Sequence, residues 1–200
     1  MLNQMLFDNP LLVRHVRSRL RSPQPGYLTV VVVLLASCLM WAGYAADGLD
    51  QPVIFCLFFG CQCLTLHLAG TSQVASSISA SSDSGILDFH RVSPLSSLAT
   101  TIGFVLGAPI REYLVALLLL PFTLISAVLC DVGIAGFLTS GIVLISTTLL
   151  FHSLAITAGL LATRGKTRNI NMGLGFIVVT SSFASFQVFA GLPIPGLLTA

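Results

Sequence analysis

The five cysteines are the first side chains of this chain whose types and spacing suggest chemistry. Cys61 and Cys63 form a C-x-C pair, with Cys56 shortly before them, an arrangement that could hold a metal ion or a redox centre. In a helix, however, residues two apart point about 200° apart, so these two thiols cannot chelate one ion. We therefore predict buried free thiols that fill an apolar helix, with no metal and no cofactor bound by this chain. The same interpretation applies to Cys38 and Cys130.

Two of the histidines, His67 and His152, lie inside long apolar runs. An ionisable group within a membrane segment is by default a functional hypothesis, and proton relay and substrate contact are the usual roles. A neutral imidazole that is hydrogen bonded to a neighbouring helix explains each histidine equally well. No acidic residue lies deep in an apolar run, so a proton-coupled carrier would lack its usual carboxylate.

Small hydroxyl residues recur at helical spacing between about residues 136 and 162. At about 100° per residue they fall within an arc of about 140° on one side of a helix. Such a hydroxyl face could line a polar path, but small residues also let membrane helices pack closely, and we favour packing. Its members are Thr139, Ser140, Ser146, Thr147, Ser153 and Thr157.

The sequence contains none of the short motifs that would indicate catalysis. There is no G-x-x-x-x-G-K-[ST] phosphate loop, so the chain cannot bind ATP by that route. An H-E-x-x-H zinc pair and a G-x-S-x-G nucleophile elbow are also missing, and the spacing of Ser, His and Asp suggests no triad. We therefore expect that the chain is not itself an enzyme.

Composition identifies the elements that must position these side chains. Of the 200 residues, 55% are hydrophobic and 8% are charged, and the mean hydropathy is +0.96. A soluble domain carries about 25% charged residues. A bilayer core takes roughly 20 helical residues to cross, and its backbone polar groups must be satisfied within the helix. We predict an all-α, polytopic helical membrane protein.

The nine basic residues form three clusters, at residues 14–21, 91–111 and 164–168, separated by long apolar stretches. Lys and Arg are retained on the cytoplasmic side, so the clusters must be separated by even numbers of crossings. This places the N-terminus in the cytoplasm, in the cell's inner or plasma membrane. The net charge of +2 has no bearing on nucleic acid, which we do not expect as a partner, because the basic residues sit in loops at the anionic surface of the lipid bilayer, where they orient the protein. We predict a transmembrane domain over 27–200 with five spans, at about 27–44, 52–75, 113–130, 136–162 and 170–190; the odd number leads us to expect a sixth span beyond this chain.

Residues 1–26 are predicted to be a cytoplasmic segment that contains an amphipathic helix at the membrane interface. Its apolar side chains recur at steps of three and four residues, and the arginines take the opposite side. The apolar set is Leu12, Val13, Val16 and Leu20, and the basic set is Arg14, Arg17 and Arg21.

Residues 76–112 are predicted to be a cytoplasmic region between spans two and three, although the helix of span two could continue into it. The apolar stretch 95–107 is too short to cross a bilayer. A single helix over 98–120 would place Arg111 near the bilayer centre, at a cost of roughly 2.5 to 3.5 kcal/mol. We therefore start span three near Tyr113 and expect Pro121 to kink it.

Three features together resemble the permeases of type 2 ABC exporters. They are the run Asn9-Pro10-Leu11-Leu12-Val13-Arg14, the hairpin of spans one and two, and the cytoplasmic run over residues 82–96. Such permeases carry a charged run after span two, then a Gly-Thr-Leu-like step, a Thr/Ser-Pro-Leu-Ser step and a Gly-Lys pair. The matching residues here are Gly85, Leu87, Pro94, Leu95, Ser96 and Gly103, whereas the charged run is replaced by serines and Phe104 stands in place of Lys.

The resemblance implies a membrane subunit that couples ATP hydrolysis on a separate subunit to export. ATP and Mg would bind to that nucleotide-binding partner, and a second permease copy or relative would complete the transporter. The implied coupling residues are Asp83, Gly85, Leu87, Asp88, Pro94 and Ser96. The alternative is a non-transporting membrane scaffold or assembly factor derived from such a permease, which would keep the topology and lose the charged coupling run.

Overall fold

The computed structural model describes residues 9–21, 23–45, 51–86 and 96–164, and every regular element within these ranges is a helix. A π-helical segment, Thr65–Gly70, joins the third helix to the fourth without a break in the rod. The α-helices, numbered in chain order, are α1 Pro10–Leu20, α2 Gln24–Ala45, α3 Gln51–Leu64, α4 Thr71–Asp83, α5 Ser97–Gly107, α6 Ile110–Leu129 and α7 Ile134–Arg164.

Four helical stretches among the described residues are long and apolar enough to cross a membrane. They are Gln24–Ala45, Pro52–Asp83, Ile110–Leu129 and Ile134–Leu160. They coincide with the first four predicted spans, whereas the predicted span at 170–190 lies outside the described residues. The second stretch is 32 residues long because α4 continues it beyond residue 75, as the sequence allowed.

Proline explains where two of these helices begin. Pro25 lies in the first turn of α2, where its missing N–H is no loss, so the helix starts earlier than residue 27. Ala108 and Pro109 form the turn between α5 and α6, where Pro109 has no N–H to offer the Val105 carbonyl; Pro121, by contrast, lies inside α6. The sequence predicts a start of span three near Tyr113, and α6 begins three residues earlier, so Arg111 lies in its first turn, at an end of the bundle.

The core is arranged around α3, which buries side chains on two of its faces. Phe55 and Phe59 pack against side chains of α6 and α7, and Phe58 stacks on Phe122 of α6 with ring centroids 5.7 Å apart. The two neighbouring thiols divide as helix geometry requires: Cys61 is exposed and Cys63 is buried. All five cysteines are free thiols, as predicted, but the further expectation that they are buried is wrong for Cys38 and Cys61, which are exposed.

The apolar surface of α2 is mostly exposed in the described part of the chain. Only Pro25, Ala36 and Gly43 are buried along its 22 residues, whereas Val30, Val31, Leu34 and Leu35 are exposed. A helix that is apolar all round must lie in a protein interior or in a membrane. Because protein covers little of α2 here, this surface favours a hydrocarbon surrounding.

The turn between α6 and α7 is built around Asp131. Asp131 has a left-handed backbone, with φ of 53°, which Asp tolerates better than most residues. Its N–H donates to the Val128 carbonyl, and the N–H of Val132 donates to the Ala127 carbonyl. These bonds satisfy the last carbonyls of α6 and reverse the chain.

Candidate functional site

The basic end of the molecule is the end at which α1 packs against α4 and α5 and at which α6 begins. Asn9 fixes the start of α1, because its Oδ1 accepts hydrogen bonds from the N–H groups of Leu11 and Leu12. The same side chain donates from Nδ2 to the Ala99 carbonyl of α5 at 2.6 Å. One buried asparagine therefore both caps α1 and attaches it to α5.

Two glycines of α5 let α1 approach closely. A Cβ at Gly103 would lie 2.9 Å from Leu11 Cδ2, and a Cβ at Gly107 would lie 2.9 Å from His15 Cβ. Small residues four apart are the usual way in which two helices pack at short distance. Leu11 is then buried in a cluster with Phe104 of α5 and Ile78 of α4.

Arginines link α1 to the other helices of the basic end. Arg19 donates from Nη1 to Gln73 Oε1 at 2.6 Å and from Nη2 to the Ser77 hydroxyl at 3.2 Å, both on α4. Arg111 of α6 donates from Nε to the Arg19 carbonyl at 3.2 Å. That carbonyl belongs to the last turn of α1, where an intrahelical partner is missing, so Arg111 caps α1 from outside.

The remaining arginines of α1, Arg14, Arg17 and Arg21, are exposed. α1 covers residues for which the sequence predicts an amphipathic helix, but its buried side chain is Leu11, which rests on α4 and α5, whereas Val13 and Leu20 of the predicted apolar set are exposed. Its amphipathic character stays a prediction. His15 is half-buried between α1 and α5; burial and the nearby Arg19 and Arg14 guanidinium groups lower its pKa from the ordinary 6.5. The position of α1 at a membrane interface stays a prediction.

Three of the six implied coupling residues lie within the described chain. Asp83 is the exposed last residue of α4, and Gly85 follows it with a φ of 71°, which glycine adopts without strain. Ser96 is the N-cap of α5 and accepts from the Ala99 N–H at 3.2 Å. Leu87, Asp88 and Pro94 lie outside the described residues. The described three thus stand where α4 leaves the bundle and where α5 begins.

The hydroxyl face of α7 is divided between buried and exposed positions. Ser140 is buried and Thr147 is half-buried, whereas Thr139, Ser146, Ser153 and Thr157 are exposed in the described part of the chain. The hydroxyls of Thr139 and Ser153 donate to the backbone carbonyls of Ala135 and Leu149, one turn earlier. Exposed and buried hydroxyl groups are compatible both with a polar path and with helix packing, so both interpretations stay predictions.

The two histidines of the long apolar runs are both fully buried and bonded to neighbouring helices. His67, in the π-helical segment, has Nε2 3.1 Å from the Thr147 hydroxyl of α7. His152 of α7 has Nε2 3.2 Å from the Leu66 carbonyl and Nδ1 2.9 Å from the Tyr113 hydroxyl of α6. That hydroxyl is also 3.1 Å from the Val105 carbonyl of α5. We call His152, Tyr113 and the Leu66 and Val105 carbonyls the histidine node.

A cavity of about 450 Å³ lies between α3, α6 and α7. Its walls are mostly apolar, with Phe59, Leu117, Leu144 and Ile145 among them. The polar groups on the walls are engaged elsewhere: Gln62 Nε2 donates to the Ala116 carbonyl, and the hydroxyls of Thr123 and Thr148 donate within their own helices. This lining suits hydrocarbon better than a charged ligand.

Sequence reasoning missed Tyr113, Gly70 and the second role of Asn9. Asn9 followed by Pro10 is a recognisable N-cap with proline in the first turn, so a local signal was available for the cap. Pro109 offered another, because it leaves the carbonyl four residues earlier without an N–H partner. Gly70 had no such signal, since its role depends on a ring from α7.

Comparisons of the chain with protein-family models, with curated proteins and with solved structures gave no match in any of the three.

Proposed function

We propose that this chain is a permease subunit of an ATP-driven, type 2 ABC exporter. The observation that carries the proposal is the placement of the run over residues 82–96, whose order of Gly85, Pro94, Leu95 and Ser96 resembles the coupling region of such permeases. This run starts at the exposed end of α4 and finishes at the exposed start of α5. The described ends of the run are therefore accessible to a cytoplasmic partner.

The rod formed by α3, the π-helical segment and α4 supports this role mechanically. It runs for 32 residues from Pro52 to Asp83, so a push on its cytoplasmic end reaches the opposite side of a bilayer without crossing a loop. The predicted span 52–75 alone would be about 36 Å long as a helix, which already exceeds the roughly 30 Å hydrocarbon core of a bilayer. The rod continues beyond that span to Asp83. The extension carries Asp83 away from the lipid.

The attachment of α1 supports the same role. Asn9 and Arg19 bind α1 to α5 and α4, the two helices that flank the 82–96 run. A motion imposed on that run would therefore move α1, α4 and α5 together. The exposed arginines of α1 would keep this unit on the cytoplasmic leaflet, which carries anionic lipid.

In this proposal the N-terminus is cytoplasmic, in the inner or plasma membrane, and ATP and Mg bind to a separate nucleotide-binding subunit. A second copy or a related permease supplies the other half of the transport path. The test is to purify the tagged chain from its native membranes in mild detergent, identify co-purifying proteins by mass spectrometry and measure ATP hydrolysis. We expect a phosphate-loop ATPase; its absence from an active, stable preparation would contradict the proposal.

Charge reversal in the 82–96 run separates the permease from its alternative. The double substitution Asp83→Lys and Asp88→Lys should lower the ATPase activity of the complex at least several-fold. It replaces the acidic side chains of the run with basic ones and so reverses the charge complementarity expected between the run and the ATPase subunit. Ile134→Lys, at the exposed first residue of α7 near the far end of α6, is the control that adds a lysine outside the run, and it should have little effect. The serine-rich, charge-poor run over residues 76–86 is the observation that favours a scaffold, for which the double variant and the control would behave alike.

A further inference from the structure

The histidine node compensates for two irregularities of the backbone. In an α-helix the Val105 carbonyl would accept from the N–H of residue 109, but Pro109 has none. The Tyr113 hydroxyl, 3.1 Å away, takes that place. On the other side of the node, the Leu66 carbonyl lies in the π-helical segment and has His152 Nε2 at 3.2 Å. Both backbone carbonyls thus have side-chain partners from other helices.

Gly70 makes room for the His152 ring beside the rod. A Cβ at residue 70 would lie 2.7 Å from Nε2 and 3.3 Å from Cε1 of His152. The ring, with an exposed fraction of 0%, therefore rests directly against the backbone of the π-helical segment. Distortions of this kind, in which a ladder departs from α geometry, are frequent at functional sites.

With a neutral His152 ring, the histidine node has one proton fewer than it has hydrogen-bond contacts. It has three contacts to fill: Leu66 carbonyl with Nε2, Nδ1 with the Tyr113 hydroxyl, and that hydroxyl with the Val105 carbonyl. A neutral imidazole and a tyrosine together supply one N–H and one O–H. With the imidazole proton on Nε2, the single O–H of Tyr113 must choose between Nδ1 and the Val105 carbonyl. A doubly protonated ring would fill all three contacts.

We propose that the histidine node is a proton-binding switch that controls the attachment of α5 to the rest of the bundle. Nδ1 of His152 takes up one proton from the medium and keeps it, and the new N–H group donates a hydrogen bond to the Tyr113 oxygen. The Tyr113 hydroxyl then turns its own proton to the Val105 carbonyl and ties the end of α5 to α6. Loss of the proton returns the hydroxyl to Nδ1 and releases that carbonyl. The proposal does not depend on the permease function.

Other titratable side chains surround the node on the helices packed against His152. His67 of the π-helical segment is bonded to Thr147, one turn away on α7. Glu112 precedes Tyr113 on α6 and is 9% exposed, with an Oε2 that has no hydrogen-bond partner among the described residues. His15 of α1 contacts Gly107 of α5. The experiment must therefore separate His152 from these three groups.

The test uses the full chain in lipid nanodiscs, labelled with ¹⁵N-histidine, at about pH 8 and about pH 5, the range in which histidines usually titrate. The ring nitrogen shifts report the protonation state of His152, and its signals are assigned by their loss in His152→Gln. Amide hydrogen exchange of residues 97–107 reports the attachment of α5. Each variant is compared with the unmodified chain at the same pH, so that the chemical dependence of exchange on pH cancels.

We expect the His152 ring to pass from neutral to doubly protonated as the pH falls. At low pH the amides of residues 97–107 should be protected from exchange about fivefold more in the unmodified chain than in Tyr113→Phe. His152→Gln can still donate to the Leu66 carbonyl and accept from Tyr113 but cannot titrate, so it should remove the pH response. His67→Gln and His15→Gln should retain it; for Glu112 the control is Glu112→Gln, which should also retain it.

Three results would overturn the switch. The His152 ring could stay neutral throughout the range in which the chain remains folded. The protection of 97–107 could change equally in Tyr113→Phe and the unmodified chain. The pH response could persist in His152→Gln, which would assign it to another group. Should Tyr113→Phe not fold, the ring titration and the His152→Gln comparison still decide the matter.

Discussion

The two ends of α5 are both held through backbone carbonyls, one by a short peripheral helix and the other by a helix inside the bundle. At its start, the Ala99 carbonyl accepts from Asn9 of α1, a short helix with an exposed basic face. At its end, the Val105 carbonyl is bonded by Tyr113 of α6, inside the bundle. Contacts to a small peripheral helix can open locally, whereas contacts inside a packed bundle open only with much of the fold. The attachment of α5 at the basic end can therefore open locally. At the histidine node the bundle stays packed, and in the proposed switch only the bond of Tyr113 to the Val105 carbonyl changes with the proton on His152.

The largest effect that this comparison predicts is the loss of the His152 ring. His152→Ala takes the ring away from the Leu66 carbonyl and from the Tyr113 hydroxyl, which keeps only the Val105 carbonyl, and it opens a void, so we expect the free energy of unfolding to fall by about 3 kcal/mol. Thermal unfolding in detergent measures the change. His15→Ala at the basic end is the comparison and should cost distinctly less, because His15 is only half-buried. Equal losses would remove the distinction between the two regions.

The next effect isolates the space that the node needs. Gly70→Ala places a Cβ 2.7 Å from His152 Nε2 and should cost about 2 kcal/mol, since the ring has to move. Gly60→Ala, in the same rod, meets nothing within 4 Å and should be neutral or slightly stabilising because Ala favours helix. Chemical or thermal unfolding of both variants tests this. A stable Gly70→Ala protein would mean that the ring does not rest against the rod.

A smaller, local effect is expected at the basic end. Asn9→Asp keeps an oxygen that can cap α1 but loses the N–H₂ that donates to the Ala99 carbonyl. We expect the free energy that holds α1 on α5 to fall by about 1 kcal/mol, so that α1 detaches more often. The melting temperature of the bundle should be nearly unchanged. Trypsin cleavage at Arg14 and Arg17 measures the detachment. Asn9→Ala removes the cap as well and should be cleaved faster; identical rates would mean that the Ala99 bond contributes nothing.

The smallest effect is a dependence of the α1 attachment on pH. The pKa of His15 is lowered in the folded chain by burial and by Arg19 and Arg14, so the unfolded or detached state binds the proton more readily. The attachment is therefore full above about pH 6.5 and weakens as the pH falls below it. Trypsin release of α1 should rise modestly in acid and should not do so in His15→Gln. A release that falls in acid would contradict the sign.

The elements could be predicted because they depend on local composition. Long apolar runs between basic clusters predicted the positions of the first four spanning helices, and the cost of a central arginine predicted the break before Arg111. The positions of Cys61 and Cys63 followed from helix geometry alone. Whether membrane surrounds these helices in the predicted orientation is part of the proposed function.

The site was harder to predict because its contacts join residues that are distant in sequence. The node brings together Leu66, Val105, Tyr113 and His152, and no pattern within any one segment shows that a ring from α7 rests at Gly70. Asn9 was noticed for its place in a resembling run, although its physical role is to cap α1 and to attach it to α5. Local signals described each partner, but pairing depends on packing.

We propose that the run between α4 and α5 contacts an ATPase subunit, and a site-specific crosslink can test this contact. A photo-crosslinking residue placed at Ser84, just after α4, should form an adduct with a phosphate-loop ATPase in native membranes. The same residue at Ile134, the exposed first residue of α7, should form no such adduct. If Ser84 gives no ATPase adduct, or if both positions give equal adducts, the run does not make this contact.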